Sequence, residues 1–249
     1  MISSSILHSD SLLLDKLRIR KKALRNSKLP QRQRVQYRAA NNWISLYNPL
    51  PDASNLDKVR GYLEACHHLF ELENCEAASK ILAVRLNTPT RDQFHNQLNT
   101  WGYYSEHIEL FTTLLGKLAP EWEMTLLKGL GNLYNSLSDY KEAISYQQQH
   151  LAVARSVGDR QSEGISLGNI GLNYYLLGNY AQSIDYCEQS LAIVREIGDR
   201  RAEGAALGNL GLAHDAQSEF NKAIDYYQQH LAIARDIKDY RGQPGHDLH

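Results

Sequence analysis

Apolar and polar residues follow a helical rhythm along most of the chain. Between Tyr180 and Ile197 the apolar positions are Tyr180, Ile184, Cys187, Leu191 and Val194. Steps of three and four place them on one stripe of a helix. Gly198-Asp199 closes this helix. Gly178-Asn179 closes an earlier one from Arg160 to Leu177, as glycine commonly does at a helix C-terminus. Upstream, residues 57–86 read as a helical hairpin with Ala78 at its crossing. Residues 91–120 read as another, with Gly102-x-Tyr104 at the turn and Pro120 after the second helix. Asn87-Thr88-Pro89-Thr90 is the loop between them. Residues 8–47 read as two helices split at Leu29-Pro30 and closed by Pro49 and Pro51. No strand is predicted.

The helical pattern repeats. Residues 160–199 read RQSEGISLGNIGLNYYLLGNYAQSIDYCEQSLAIVREIGD, and residues 200–239 read RRAEGAALGNLGLAHDAQSEFNKAIDYYQQHLAIARDIKD. Asp159, Asp199 and Asp239 mark a period of 40 residues, and Leu130–Asp159 is the end of a preceding copy. Gly131, Gly171 and Gly211 recur in mid-helix, where glycine costs about 1 kcal/mol relative to alanine. That cost is accepted where a neighbouring helix must come close. Ala143, Ser183 and Ala223 supply small residues on the second helix. Tandem hairpins of this kind stack into a solenoid.

Leu130-Gly131…Tyr134 with Tyr140 and Ala143, and Ile170-Gly171…Tyr174 with Gly178 and Tyr180, resemble the tetratricopeptide repeat signature. The third copy keeps Gly211, Phe220 and Ala223 but carries His214 and Ser218. The 40-residue unit with its Gly-Asp-Arg junction is similar to the repeats of kinesin light chains and of large bacterial signalling proteins. The phrase RLNTP…NQLNTWGYYSEHIELFTTLLGKL also resembles a segment between the ATPase module and the repeats of cyanobacterial multidomain signalling ATPases. The resemblance implies an all-α fold, a right-handed solenoid of antiparallel helix hairpins. It divides the chain into a basic helical segment (1–50), degenerate helical repeats (51–120), three 40-residue repeats (121–239) and an irregular tail (240–249).

Composition narrows the function classes. The formal net charge of −1 hides an asymmetry: residues 1–50 carry ten Lys/Arg and two Asp/Glu, and the remainder carries 17 and 26. The basic residues are Lys16, Arg18, Arg20, Lys21, Lys22, Arg25, Lys28, Arg32, Arg34 and Arg38. They match no nucleic-acid reading motif, so a solvated face or a docking segment is expected rather than a nucleic-acid site. Cys66, Cys75 and Cys187 form no disulfide or zinc pattern, which fits a reducing, cytoplasmic compartment. The N-terminus lacks the features of a signal peptide, and no apolar run is long enough to span a bilayer.

Catalytic constellations are missing. Gly116-Lys117 lacks the glycine that a phosphate-binding loop needs, Phe111 standing there instead. His67 and His68 are adjacent, so they point to different helix faces and chelate poorly beside Glu71. His150 and His230 share a repeat position with Ser190, which reads as a tolerated place at a helix seam. No enzyme, metal site or cofactor is expected.

The resemblance implies that first helices line a concave groove for an extended or helical peptide. Lys128 and Asn132 share a face in the first copy, Ile165 and Asn169 in the second, and Arg201, Ala205 and Asn209 in the third. An asparagine amide donates and accepts at once, so it pairs with a backbone of any sequence. Some family members clamp a terminal carboxylate with Lys and Asn in the first repeat, Asn in the second and basic residues in the third. Lys128, Asn132 and Asn169 match the first three places, and Ala205 and Asn209 replace the last two, so this clamp is incomplete. The expected function is a protein-interaction scaffold. The alternative is a sensor arm of a nucleotide-switch signalling protein, separated from its ATPase. After Asp239 the repeat gives way to YRGQPGHDLH, so an uncapped last hairpin, truncation and self-association through that hairpin are expected.

Overall fold

The computed structural model describes residues 13, 14, 17, 28–50 and 52–242. Eleven helices are bounded among them, and the chain divides into two compact units, residues 1–119 and 120–249. The first of the two helices expected over 8–47 lies largely outside the described residues, as do the six basic residues from Lys16 to Arg25 and the tail from 243.

The first unit holds α1 (Gln31–Leu46), α2 (Asn55–Phe70), α3 (Cys75–Leu82), α4 (Phe94–Thr100) and α5 (Tyr104–Leu114). Pro30 stands at the N-cap of α1. Ser54 Oγ caps α2 by accepting from Asp57 N at 3.0 Å, and Asn74 Oδ1 caps α3 by accepting from Ala77 N at 3.1 Å. The helices α3 and α4 are shorter than the periodicity predicts. After Leu82 the backbone opens and turns back on itself, with Leu86 N donating to Asp92 O and Phe94 N donating to Val84 O. An isolated antiparallel bridge joins Arg85 and Gln93. Gln97, almost fully buried, accepts from Thr88 Oγ1 and Thr90 Oγ1 at 2.9 Å each and so ties down the loop.

Two buried histidines sit in the α4–α5 hairpin. His95 and His107 rings lie 5.6 Å apart, and His107 packs edge-on against Phe111 at 4.3 Å. His95 Nε2 pairs with Gln93 Oε1 at 3.0 Å. His95 Nδ1 and both ring nitrogens of His107 have no partner among the described residues. Burial pushes His95 down to about 4. Burial, helped by the neighbouring His95, pushes His107 down to about 3. A neutral ring is the form such an apolar site accepts.

The second unit is three antiparallel hairpins: α6 (Pro120–Ser136) with α7 (Tyr140–Val157), α8 (Arg160–Leu176) with α9 (Tyr180–Glu196), and α10 (Arg200–Ala216) with α11 (Phe220–Gly242). Pro120 opens α6, where its missing N–H and fixed φ suit a first helical position. Asp159 and Asp199 cap α8 and α10 by accepting from Ser162 N and Ala202 N at 2.9 Å. Gly158 and Gly198 precede them in the left-handed region, at φ 74° and 72°. Lys238 occupies the corresponding place within α11, and without a glycine to stop it the helix continues to Gly242.

Each seam between hairpins is apolar. One core joins Ile144 and Leu151 of α7 to Leu167 and Ile170 of α8 and to Ile193 of α9. The next joins Cys187, Leu191 and Val194 of α9 to Ala206, Leu207 and Leu210 of α10 and to Ile233 of α11. The mid-helix glycines mark close approach inside each hairpin. A Cβ on Gly171 would strike Cys187 Sγ and lie 3.1 Å from Ser183 O, and one on Gly211 would strike the Tyr227 ring. Each hairpin also carries one aromatic stack: Tyr134 on Tyr146, Tyr174 on Tyr186, and His214 on Tyr226. The third copy's departure at His214 therefore keeps the stack, and His214 Nδ1 also pairs with Glu219 Oε2 at 2.6 Å.

Candidate partner-binding face

Of the residues that could meet a partner, Lys128 and Asn132 are exposed on α6 and Arg201 is exposed on α10. Ile165 and Asn169 on α8 and Asn209 on α10 are half-buried. All six therefore lie on first helices, and they fall into distinct register rows. Lys128 shares its row with Gly168 and Gly208, and Asn132 shares its row with Leu172 and Leu212. Asn169 and Asn209 share a row with Gly129, three residues before that of Asn132. The structure thus brings Asn169 and Asn209 to equivalent places, but sets them about a turn from the Asn132 row.

The two rows face different tasks. Asn209 Nδ2 donates across to Gly168 O of the neighbouring first helix at 3.5 Å. Asn135 Nδ2 donates to Asn173 Oδ1 at 2.6 Å, joining α6 to α8, and Asn173 is buried. Asn132 Oδ1 meets Gln147 Nε2 of its own hairpin at 3.5 Å. Leu172 and Leu212 turn the Asn132 row apolar in the second and third hairpins, and Leu212 is exposed. Reading the 40-residue register across Asn132 points to these leucines, which the pairing of Lys128, Asn132 and Asn169 passes over.

A second pattern is electrostatic and repeats with the hairpins. Arg155 Nε of α7 donates to Glu163 Oε1 of α8 at 2.8 Å, Arg160 Nη1 donates to Glu163 Oε2 at 2.6 Å, and Arg160 Nη2 reaches Glu196 Oε2 of α9 at 2.5 Å. One period later Arg195 Nε donates to Glu203 Oε1 at 2.9 Å, Arg200 Nη1 to Glu203 Oε2 at 2.5 Å, and Arg200 Nη2 to Asp236 Oδ2 at 3.4 Å. Burial works to raise the Glu163 carboxyl, but the bonds from Arg155 and Arg160 outweigh it and hold the carboxyl below the usual range. Glu203 is held down by Arg195 and Arg200 against the same opposition. Each carboxylate is thus shared by two arginines through charge-assisted bonds, one to each oxygen. The signal for it in the sequence is an Arg eight residues and another three residues before a Glu, recurring after 40.

The histidines at the shared repeat position both bond to first helices, His150 to that of the next hairpin and His230 to that of its own. Ser166 Oγ donates to Ser162 O at 2.8 Å, so His150 Nδ1 donates to Ser166 Oγ at 2.6 Å. His230 Nδ1 donates to Gly204 O at 2.7 Å, and Ser190 Oγ makes the same bond to Gly164 O. Burial lowers His150, with Lys128 acting in the same direction. His68 Nδ1 meets Gln36 Oε1 at 2.6 Å in the first unit. Among the described residues no three His, Cys, Asp or Glu side chains are grouped to hold a metal ion. All three cysteines are buried thiols, and burial drives Cys187 up to about 12. No described helix is long and apolar enough to cross a membrane.

The sequence profile of the tetratricopeptide repeat family matches residues 121–185 and 162–236. This part of the chain belongs to the tetratricopeptide repeat family. Solved structures agree on the fold. BtubC from P. vanneervenii shares 15% identity, with 90% of this chain and 98% of that one covered, at a TM-score of 0.53. Kinesin light chain-type, nearly identical tetratricopeptide-like repeats from Podosopora anserina share 17%, covering 84% and 95%, at 0.50. Aspartyl phosphate phosphatase F from Bacillus subtilis shares 15%, covering 92% of this chain and 61% of its own, at 0.54. Comparison with curated proteins finds no match. The fold class is an all-α tetratricopeptide solenoid.

Proposed function

We propose that the chain is a non-catalytic interaction scaffold of a reducing, cytoplasmic compartment, and that the first helices of the second unit hold a partner segment. The binding face consists of Lys128, Asn132, Ile165, Asn169, Arg201 and Asn209, with Leu172 and Leu212 added by the repeat register. The observation that carries this reading is the side-by-side joining of the first helices, through Asn135–Asn173 and Asn209–Gly168, below exposed side chains of mixed chemistry. A face locked in this way needs little reordering when a ligand arrives, and preorganisation of that kind raises affinity. Exposed cations on α6 and α10, with an apolar row of Leu172 and Leu212 beside them, suit an amphipathic segment that carries acidic residues.

The test is capture of a partner from native cell extract by the immobilised chain. Lys128→Glu combined with Arg201→Glu changes two exposed side chains and leaves the cores intact. Capture should fall at least about tenfold, the loss of roughly 1.4 kcal/mol, with helical circular dichroism unchanged. Equal capture by wild type and variant would remove the face from the reading.

A further inference from the structure

The outer face of α11 repeats the positions by which one hairpin joins the next. Each second helix of the unit carries apolar positions that the next first helix covers. Leu151 and Leu191 are 6% and 8% exposed, packed against Leu167 and Ile170 and against Leu207 and Leu210. Leu231, one period later on α11, is 48% exposed. Ile144 is 7% exposed, Ile184 half-buried and Ile224 51% exposed. Phe220, at the start of α11, is exposed too. These residues repeat the seam positions, and Phe220, Ile224 and Leu231 are exposed.

The two closed seams state what belongs there. At each, an arginine of the second helix donates its Nε to a glutamate of the incoming first helix: Arg155 to Glu163, and Arg195 to Glu203. Four and seven residues after the glutamate stand the buried apolar residues, Leu167 and Ile170 or Leu207 and Leu210. A glycine follows each glutamate directly, but Gly164 and Gly204 sit against the second helix of their own hairpin, beside Val194 and Ile193 of α9 and beside Ile233 of α11, so they take no part in the seam. Arg235 holds the place of Arg155 and Arg195 on α11 and is exposed.

We infer that the α11 face docks a partner α-helix bearing a glutamate with apolar residues four and seven positions after it, and that Arg235 reads the glutamate. A second copy of this chain is a poorer occupant. Its matching helices α8 and α10 already spend Glu163 and Glu203 on Arg155 and Arg195. On α6 the equivalent Leu127 and Leu130 are already buried. The surface is distinct from the face of the first helices, so either proposal stands without the other.

A fluorescent peptide with the sequence of residues 199–216 carries the required pattern and serves as the probe. Anisotropy titration against the whole chain at low salt should show saturable one-to-one binding. Arg235→Glu in the protein should weaken binding at least about tenfold, because a charge-assisted arginine–carboxylate pair would be replaced by like charges. Glu203→Arg in the peptide should weaken binding to the wild-type protein similarly and restore binding to the Arg235→Glu protein. Leu231→Asp should abolish binding without loss of helical signal, since the residue is exposed in the folded chain. No saturable binding, or binding indifferent to Arg235→Glu and Leu231→Asp, would overturn the proposal. A dimer in sedimentation velocity that Leu231→Asp dissolves would overturn it in favour of a second copy.

Discussion

Arg155 in one hairpin and Glu163 in the next share a hydrogen bond of 2.8 Å, and the glutamate side chain is only 10% exposed. Its carboxylate is shielded from water but faces two half-exposed arginines, so it is worth more than an ordinary surface ion pair. Glu163→Gln should cost about 1.5–3 kcal/mol, the range for a hydrogen bond to a charged group. Urea denaturation of the whole chain measures this, and Arg155→Ala combined with Glu163→Gln gives the coupling. Acid should weaken the same contact. The folded carboxyls of Glu163 and Glu203 lie below 4.5, so their contribution is complete above that pH and is lost as pH falls toward the folded values.

The turns inside the hairpins give a prediction of opposite sign. Ser138, Gly178 and Ser218 occupy one repeat position at φ 60°, 77° and 61°. A residue with a Cβ is strained there by about 1 kcal/mol. Ser138→Gly and Ser218→Gly should each leave stability unchanged or raise it by up to about 1 kcal/mol, the loss of chain entropy offsetting part of the relief. Gly178→Ser should lower it by about 1 kcal/mol. Thermal melts of the three variants decide the matter.

Close packing at Gly171 predicts a larger loss. Gly171→Ala adds a methyl group against Cys187 Sγ and the backbone of α9. Overpacking of this kind costs about 1–3 kcal/mol, and helix propensity returns about 1 kcal/mol of it. A lower urea midpoint is expected, and Cys187→Ala in the same chain should recover part of it.

The first unit should be acid-sensitive through His95 and His107. Their folded values of about 4 and about 3 lie below the ordinary 6.5. The unfolded chain therefore takes up protons first as pH falls below 6.5, and stability is lost down to the folded values. By pH 5 the loss is about 2 kcal/mol per histidine, from 1.36 kcal/mol per pH unit. His107→Leu, which removes two unpartnered ring nitrogens, should stabilise the first unit at pH 7 and flatten this loss. Hydrogen exchange of amides in α4 and α5 at pH 7 and pH 5 measures both effects.

Much of the second unit was legible in the sequence because its punctuation is local. Asp159 and Asp199 cap helices, Gly158, Gly178 and Gly198 end them, and the observed ranges of α8 and α9 match the reading to within a residue. The α3–α4 region was less legible. Its helices are cut short by hydrogen bonds between Leu86 and Asp92 and between Val84 and Phe94, which leave no periodic trace. On the candidate face, Lys128 and Asn132 were found by helical spacing within one copy. Leu172 and Leu212 needed the repeat register carried across copies. The contacts of Arg155 with Glu163 and of Arg195 with Glu203 join different helices, and a pattern sought along one helix does not count across two.

Residues 160–199 are self-matching: Glu163 receives an arginine from the preceding hairpin, and Arg195 offers one to the following hairpin. A gene in which this segment is written twice would encode a junction between Arg195 and the new glutamate with the same chemistry as the two already present. The protein is therefore modular in length, and lengthening or shortening by whole 40-residue units is the change its architecture accepts most readily.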